Sequence, residues 1–560
     1  MTPTDRSDKS NQEQPFLTYA QQLEKSPPCQ VECPNSGNVR GWLGIIAQRE
    51  KHDLSLEEAY DRAWELLAER NPFPAIIGRI CPHPCETRCT RDGKDGAVSI
   101  NAMERFLGDW GIDRDLPLPR IDDQEYSESI GVIGSGPAGL SFAYQMARRG
   151  YPVTVYEKRA QPGGMLRHAI PEFRLPATLV DAEIQRVLDL GIALEDNVRL
   201  GSDLSLKKLR RQHSLLFLGI GAQGARPLQI EGEIGPGVIP GITYLNLRKS
   251  GADSRLGDNV IVIGGGNTAI DAARSARRDG SSVTVLYRRS RQEMPAEAQE
   301  VEDAIIEGVH FNFLAAPLKV HRDELNVTGL EYQPMQLGDA DDQGRPQPVP
   351  VEGDPVLILA DAIIVAVSQQ PDWQGLGEVH NEHKWLLTEE DGRLADDLWA
   401  GGDETGPGIA SRAIAQGRLA AEAAHAQLQG HPRPQFHSHH SAVRRASVKA
   451  DFFDEKGRCN HPRRSQDQWL TQPNLEIDQT ISSEQALHEA ARCFSCGLCF
   501  DCQQCAMYCN AIGFSPVKDA APGRYYTLAL DACEGCGKCI ELCPCGYLEG
   551  REGSPWVENN

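Results

Sequence analysis

The distribution of the cysteines limits the possible folds of this chain more than any other feature. Five lie between Cys29 and Cys89 and eleven between Cys493 and Cys545, while the long middle of the chain contains Cys459 alone. A disulfide scaffold would not leave so large a body without cysteine, and clustered cysteines in a reducing compartment indicate metal ligands. The sequence therefore predicts a cytoplasmic protein that binds metal near both ends.

Length and charge restrict the functional class. A chain of 560 residues is too long for a single core, so we expect several domains. The first residues are polar, and the longest apolar runs are too short to cross a membrane. The net charge of −22 disfavours nucleic acid and is compatible with either a basic protein partner or plain solubility.

A glycine-rich turn follows the predicted strand Ile130–Ile133. In the run from Gly134 to Gly139 the glycines permit a tight turn, the approach of a pyrophosphate and close packing of the next helix. The next predicted strand, Val153–Tyr156, ends at Glu157, whose carboxylate can accept hydrogen bonds from a ribose hydroxyl. These features predict a dinucleotide site.

A second turn of the same kind follows the predicted strand Val260–Ile263. Here the strand that should end in an acid is followed by Arg288 and Arg289, whose guanidinium groups favour a 2′-phosphate. NADP is thus favoured over NAD, which stays an alternative. The predicted NADP contacts are Gly264, Gly265, Gly266, Asn267, Thr268, Arg288 and Arg289.

Further glycine-rich loops distinguish the first site from the second. Gly164 permits backbone contact with a flavin, Asp403 can reach a ribityl hydroxyl, and the helix that begins after Pro407 can direct its N-terminus at the flavin ring. We therefore assign FAD to the first site. The predicted FAD contacts are Gly134, Ser135, Gly136, Pro137, Ala138, Gly139, Glu157, Lys158, Gly164, Met165, Leu166, Arg174, Gly402, Asp403 and Ile409.

The C-terminal cysteines have the spacing of a two-cluster bacterial ferredoxin. Cys533, Cys536, Cys539 and Cys543 are followed by proline, and the upstream run ends in the same spacing at Cys509. In such runs the fourth cysteine binds the other cluster. The predicted [4Fe–4S] sets are Cys499, Cys502, Cys505, Cys543 and Cys509, Cys533, Cys536, Cys539, while Cys459 and Cys545 are given no role.

Residues of about 26 to 428 resemble the small (β) subunit of bacterial glutamate synthase and its relatives. The resemblance rests on an ordered series of segments: PPCQVECPNSGNV, NPFPAIIGRICPHPCETRC, GVIGSGPAGL, IGGGNTAIDAAR and AGGDETGPGIASRAIAQGRLAA. It implies FAD, NAD(P)H and N-terminal [4Fe–4S] clusters, one of them held by Cys33, Cys81, Cys85 and Cys89.

The other N-terminal cluster of that family uses a cysteine pair that this chain lacks at the matching place. The segment HEAARCFSC near the C-terminus resembles the missing piece. We therefore expect a fourth cluster held by Cys29, Glu104, Cys493 and Cys496, in cis or across a homodimer. Spare thiols, or another register of the cysteine run, are the alternatives.

These observations predict an α/β core of two dinucleotide-binding domains, with a helical iron–sulfur domain before it and an α+β ferredoxin-like module after it. The predicted segments are a disordered tail over 1–25, the N-terminal [4Fe–4S] domain over 26–125, the FAD domain over 126–255 and 371–428, the NAD(P)H domain over 256–370, a linker over 429–482 and the ferredoxin module over 483–552.

The predicted function is that of an NAD(P)H:acceptor oxidoreductase. Hydride transfer between NADPH and FAD would be followed by single-electron transfer through three or four clusters. The partner would be ferredoxin or a redox enzyme, such as a 2-oxoacid oxidoreductase, a dissimilatory sulfite reductase or a glutamate synthase large subunit. The alternatives are a non-catalytic electron-transfer scaffold and the small subunit of a glutamate synthase-like enzyme.

Overall fold

Helices dominate the region that carries the first five cysteines. The computed structural model describes residues 18–121, 123–253, 255–341, 344–380, 383–434 and 441–552. Its first elements are β1 (Thr18–Gln22), α1 (Pro28–Glu32), α2 (Val39–Ala47), α3 (Leu56–Ala68), α4 (Pro74–Ile80), α5 (Pro84–Thr87), α6 (Asp92–Asp95) and α7 (Ile100–Asp113). Helix α3 begins where Ser55 and Glu58 form a capping box, and it buries one face of alanine and aromatic residues.

The middle of the chain alternates strands and helices, as predicted. Up to the first crossing between domains it forms β2 (Ile130–Ile133), α8 (Pro137–Ala147), β3 (Val153–Tyr156), α9 (Gly164–His168), α10 (Ala177–Leu188), β4 (Ala193–Glu195), α11 (Leu206–Gln212), β5 (Leu215–Leu218) and β6 (Gly224–Ala225). After the crossing come β7 (Val238–Pro240), α12 (Gly241–Lys249), β8 (Asn259–Ile263), α13 (Asn267–Arg278), β9 (Ser282–Tyr287), α14 (Ala298–Ile306) and β10 (His310–Phe313).

The remaining core elements complete three sheets. They are β11 (Ala315–Asp323), β12 (Asn326–Ala340), β13 (Pro346–Pro350), β14 (Val356–Leu359), β15 (Ala362–Val365), β16 (Gln369–Gln370), β17 (Arg393–Ala395), β18 (Leu398–Ala400) and α15 (Ala410–Leu428). The first sheet has the order β17-β18-β5-β2-β3-β4 and the second β10-β9-β8-β15-β7, while β11 to β14 form an antiparallel sheet beside the second. Parallel strands buried on both faces explain the continuous apolar runs of β2, β5 and β15.

The boundary between the two nucleotide-binding domains lies earlier than predicted. Strand β7 pairs in parallel with β15 of the second sheet, so the second domain begins near residue 238 and not at 256. The chain crosses between domains twice, and the two crossing segments pair with each other as β6 and β16. Pairing between residues so distant in sequence leaves no local signal.

The C-terminal region forms the small module expected of it. The preceding segment contains α16 (Gln466–Thr471). The elements of the module are α17 (Ser483–Ala490), α18 (Gln504–Met507), β19 (Phe514–Ala521), β20 (Arg524–Leu528), α19 (Lys538–Leu542) and β21 (Leu548–Glu552). Strand β21 pairs antiparallel with β1, so the expected disorder over residues 1–25 is wrong for Thr18–Gln22. Within the described ranges, no helix has the length and apolarity needed to cross a membrane.

The segment predicted to be a linker packs against the other domains over its described residues. The Arg458 guanidinium donates to Glu86 at 2.5 Å, Arg463 donates to Asp303 at 2.6 Å, and Trp469 is buried. These partly exposed ion pairs, and the packing of Trp469 and Ile477 against Phe173, join the segment to other domains, which its polar composition does not reveal. His437, His439 and His440 of this segment lie outside the described residues.

Two hydrophobic cores join regions that are distant in sequence. Trp64 and Phe73 of the N-terminal domain pack into the same core as Phe142 and Phe217 of the first sheet domain. Helix α17 contributes Ala486 and Ala490 to the core of the N-terminal domain. The C-terminal cysteines are thereby placed beside the N-terminal ones within a single chain.

Candidate functional site

One cleft of about 1080 Å³ runs between the two sheet domains. Every residue predicted to contact FAD or NADP lines it except Gly139, which lies beneath the first turn. The loops at the carboxyl ends of β2 and β8 face each other across this cleft, as expected for nucleotide sites of open parallel sheets.

The first glycine turn has the geometry of a phosphate cradle. Gly134 has φ of +98°, and a Cβ at Gly139 would lie 2.0 Å from the carbonyl oxygen of Gly134, so neither position accepts a side chain. At Gly136 a Cβ would meet no atom within 4 Å, because the position opens on the cleft at the start of α8. The space in front of that helix N-terminus fits a pyrophosphate.

Glu157 is buried under the same turn. Its carboxylate accepts hydrogen bonds from the backbone N–H and the hydroxyl of Ser135 and from the backbone N–H of Arg159. Glu157 also lines the cleft. Its carboxylate therefore stabilises the turn and lies at the place where a ribose would bind.

The loop before α15 presents two adjacent carboxylates. Asp403 accepts a hydrogen bond from the backbone N–H of Gly408 at 3.2 Å, and burial raises the pKa of its carboxyl group. Glu404, which sequence reasoning missed, accepts from the backbone N–H groups of Ile220 and Gly221, and burial raises its pKa to about 8. Glu404 thus connects the loop before α15 to the segment that leaves the first domain after β5. Its position directly after Asp403 is the sequence feature that could have identified it.

The second glycine turn is shaped by an aromatic ring. A Cβ at Gly265 would lie 2.5 Å from the Tyr287 ring, so that ring closes one side of the turn. At Gly266 a Cβ would meet only Pro295, at 4.0 Å, and the position opens on the cleft at the start of α13. This turn therefore also fits a pyrophosphate.

Three arginines gather beyond the second turn. Arg288 is exposed, and burial together with the charges of Arg289 and Arg345 lowers the pKa of its guanidinium. Arg289 is largely buried and donates to the carbonyl oxygen of Pro346. Arg345 directly precedes β13 in the β12–β13 hairpin. The sequence analysis did not identify it, because only this hairpin brings it near Arg288, which lies more than fifty residues earlier in the chain.

Arg174 lies at the boundary between the domains. Its guanidinium pairs with Asp271 at 2.8 Å and with Glu300 at 3.0 Å, both on helices of the second domain. The predicted contact with FAD therefore stays a prediction, while the structure gives Arg174 a second role as an interdomain ion pair.

The first set of N-terminal metal ligands differs from the expected one. Burial first, and then the charges of Cys33, Glu86, Glu104 and Cys81, raise the pKa of the Cys85 thiol, so these side chains lie near one another. The carboxylate of Glu86 is already paired with Arg458 at 2.5 Å. Glu104 is half-buried, accepts from Asn71 at 2.9 Å and has its pKa raised by desolvation to about 7. The structure thus groups Cys33, Cys81, Cys85 and Glu104, with Glu104 in the place expected for Cys89.

The second set brings the two ends of the chain together. Burial and then the charges of Cys493, Cys496 and Cys89 raise the pKa of the Cys29 thiol. The Cys496 sulfur contacts the Thr90 hydroxyl at 3.4 Å, next to Cys89. The structure thus groups Cys29, Cys89, Cys493 and Cys496, so Cys89 and Glu104 are exchanged between the two expected sets.

A buried ion network holds the HEAARCFSC segment, which contains Cys493 and Cys496, against the N-terminal domain. Glu489 accepts from the backbone N–H groups of Ser99 and Cys459, and Arg492 donates to Glu489 and to the backbone carbonyl of Ala97. Both charged residues are fully buried. Cys493 follows directly on this anchor, so a single chain completes the set without a dimer.

The cysteines of the ferredoxin module lie in two groups. Burial and then the charges of Cys499, Cys502 and Cys543 raise the pKa of Cys505 to about 12. Burial and then Cys533, Cys509 and Cys536 raise the pKa of Cys539 to about 11. Cys545 is buried with its sulfur 3.8 Å from that of Cys543.

The donor sets consist almost entirely of cysteine, whose thiolates hold iron–sulfur clusters. Within the described part of the chain, no three histidine, cysteine or acidic side chains lie close enough to hold one metal ion. Four cysteines around a cubane stand further apart than the ligands of one ion. Beside the second set, the Nε of the buried Arg40 has no hydrogen-bond partner among the described residues. A cluster there would supply sulfur acceptors.

Comparisons with known proteins agree with this geometry. Two facing dinucleotide folds behind a cysteine-rich helical domain define an iron–sulfur flavoprotein oxidoreductase that uses NAD(P)H. The chain belongs to the pyridine nucleotide-disulphide oxidoreductase family, whose model matches residues 128–417, and residues 22–116 match dihydropyrimidine dehydrogenase domain II, 4Fe-4S cluster. The predicted fold class, oxidoreductase class and resemblance are confirmed.

Curated relatives make the resemblance more specific. The glutamate synthase [NADPH] small chain of Azospirillum brasilense is 35% identical over 71% of this chain and 86% of its own length. The NADPH-Fe(3+) oxidoreductase subunit beta of Geobacter sulfurreducens is 36% identical over 62% of this chain, which spans 51% of that protein. The putative oxidoreductase YgfK of Escherichia coli is 30% identical over 92% of this chain and 48% of its own length.

Proposed function

We propose that this chain transfers electrons between NADPH and a partner redox protein, using FAD and four [4Fe–4S] clusters. When bound, the nicotinamide supplies a hydride, the flavin exchanges electrons in pairs or singly, and the clusters carry single electrons. The cluster ligands would be the four sets described above. Because such ligands must stay reduced, we also infer a cytoplasmic location.

The observation that carries the proposal is the continuity of the sites. Ile80 and Pro82 line the flavin end of the cleft on either side of Cys81, whose sulfur contacts the hydroxyl of Ser411 on α15 at 3.6 Å. The first cysteine set thus begins at the wall of the flavin site.

Short stretches of chain connect each set with the next. Cys29 and Cys33 lie on and just after helix α1, and two residues separate Cys496 from Cys499. Cys539 and Cys543 likewise connect the last two sets. Since a few extended residues span at most about 14 Å, neighbouring sets are close enough to form one continuous series.

The names of two relatives indicate what kind of partner this chain has. The Azospirillum and Geobacter relatives are named as a small chain and a subunit, so we propose a redox enzyme or a ferredoxin as the partner of this chain. The direction of electron flow depends on that partner.

The test is the absorption spectrum of anaerobic holoprotein before and after NADPH is added. We expect both the flavin band and the broad iron–sulfur absorption to bleach. Bleaching of the flavin alone, with clusters that dithionite reduces, would overturn the proposal.

Nicotinamide selectivity gives a separate prediction. Arg288→Ala should raise the KM for NADPH about tenfold or more and leave the KM for NADH nearly unchanged, because a charge-assisted hydrogen bond to the 2′-phosphate is lost. Initial rates with a dye acceptor measure this. Arg255→Ala, an exposed arginine paired with Asp258, is the control. Equal losses with both nucleotides would contradict the 2′-phosphate assignment.

Arg40 gives a prediction about redox potential. Its terminal nitrogens donate to the carbonyl oxygens of Lys25 and Cys496 and to the carboxylate of Glu24. Its Nε lies beside the second set and has no hydrogen-bond partner among the described residues. By contrast, the nearby Arg91 and Arg492 are paired with Asp95. Arg40→Gln should lower the midpoint potential of one cluster by about 60 mV, since charge and N–H donors stabilise the reduced form.

Redox titration followed by electron paramagnetic resonance measures the Arg40 effect. Arg40→Lys keeps the charge and should retain most of the potential. Unchanged potentials for all clusters in Arg40→Gln would show that the guanidinium does not act on a cluster.

A further inference from the structure

The last cysteine set lies at the surface of the molecule. Of the seventeen cysteines, Cys536 of this set is the exposed one. The cysteines of the other three sets are all buried or half-buried. The end of the series most distant from the flavin is therefore the end that a second protein can approach.

Large apolar side chains surround this set and are left in solvent. Met507 is 67% exposed, Tyr508 45%, Ile512 81% and Leu530 40%. The backbone N–H of Ala529 donates to the carbonyl oxygen of Gly513, which brings their neighbours Leu530 and Ile512 together. The Lys538 ammonium lies 5.5 Å from the centre of the Tyr508 ring. We call these four residues the distal face. Contiguous exposed apolar residues mark interaction sites more often than isolated ones do.

Ile512 has a second unusual property. Its φ is 52°, in the left-handed region where a β-branched residue is strained and where glycine or asparagine is normal. Such strain typically costs about 1 to 3 kcal/mol and is found at functional sites. Neither burial nor backbone preference therefore accounts for an isoleucine at this position.

Acidic residues border the distal face. Asp531, Glu534 and Glu541 are exposed, and within the described residues none of them forms an ion pair, while Lys538 is the basic residue between them. The whole chain carries a net charge of −22. A second copy of this chain would present like charges, so the face complements a cationic surface.

We propose that the distal face docks a one-electron redox protein whose contact surface has an apolar centre and a cationic rim. This inference rests on the proposed function, in which NADPH is the reductant. Two encounters would oxidise one NADPH to NADP⁺ and a proton and would reduce two partner centres by one electron each. Apolar contact at Ile512 fixes the orientation, and the acidic rim speeds the encounter.

The test uses mitochondrial ferricytochrome c, a cationic one-electron acceptor, as the probe. Its binding to oxidised holoprotein is measured by calorimetry at low and at raised salt. We expect binding that weakens with salt, and Ile512→Asn should weaken it about tenfold. Leu325→Asn, which removes a 68% exposed leucine from the NADP domain, is the matched control and should bind like the wild type.

Ile512→Asn also separates docking from structure. Asparagine tolerates the left-handed backbone, so the variant should melt at the same or a higher temperature and keep its iron and flavin. Its own flavin and clusters should bleach with NADPH as in the wild type. A variant of reduced stability or cluster content would indicate a structural role for Ile512 and overturn the proposal.

Other outcomes are equally decisive. Wild-type affinity in Ile512→Asn, with normal bleaching by NADPH, overturns the docking surface alone, whereas failure of the wild-type clusters to bleach overturns the proposed function. Thr18 pairs beside Cys536, so the chain's own first residues are another occupant to test. If removal of residues 1–16 raises the affinity for the probe about tenfold, that segment covers the face and the proposal fails.

Discussion

Replacing Cys493 and Cys496 together with serine should remove about four iron atoms from the total of about sixteen that the four proposed clusters imply. The structure places these sulfurs beside Cys29 and Cys89, so their loss leaves one cluster with half of its ligands. Iron analysis and electron paramagnetic resonance of anaerobically purified protein measure the effect. Unchanged iron content would show that the two cysteines are spare thiols.

A triple variant distinguishes the observed ligand sets from those expected from the sequence. If Cys89 belongs with Cys493 and Cys496, adding Cys89→Ser removes no further cluster. If Cys89 belongs instead with Cys33, the triple variant loses about eight iron atoms. Cys459→Ser is the control, because Cys459 contributes its backbone to the Glu489 network and belongs to none of the four sets.

The variant should keep its overall fold. Helix α17 is held by the buried side chains of Ala486 and Ala490 and by the ion network of Glu489 and Arg492, none of which is a cluster ligand. The module should therefore stay docked, and the clusters of Cys505 and Cys539 should remain. A loss of all C-terminal iron would mean that the shared cluster is needed to dock the module.

Local sequence signals predicted the parts of the site that depend on local structure. The glycines at 134, 136 and 139 restrict one turn and the helix after it, and the ferredoxin spacing restricts cysteines within a single module. In both cases the residues that must meet lie close in sequence. The family resemblance added the N-terminal cluster domain, for which spacing alone is ambiguous.

The sequence predictions differ from the structure mainly where the position of a residue depends on tertiary contacts. Cys81, Cys85 and Cys89 are evenly spaced, so nothing local tells which of them faces Cys33 and which faces Cys493. Arg345 reaches the second nucleotide turn only through a hairpin, and β7 joins its sheet by pairing with a strand more than a hundred residues away. The predicted linker failed for another reason, since a few apolar residues scattered along it, such as Trp469 and Ile477, are buried against another domain.

A valine at Gly136 should prevent FAD binding, and a valine at Gly266 should prevent NADPH binding, each without affecting the other nucleotide. Gly136 has φ of −74° and ψ of 179°, which valine adopts without strain, and a Cβ there meets no protein atom. Gly136→Val should therefore fold and keep its iron, while the added side chain fills the space of the pyrophosphate. We expect flavin content to fall below about a tenth of the wild-type value.

The equivalent change at the second turn is the matched control. Gly266 has φ of −93° and ψ of 174° and is equally open, so Gly266→Val should fold and keep its flavin. Its flavin and clusters should no longer bleach with NADPH but should still bleach with dithionite. Because the two glycines have the same conformation and surroundings of the same kind, general destabilisation would affect both variants alike. Full flavin content in Gly136→Val, or flavin loss in Gly266→Val, would show that the assignment of the two turns is wrong.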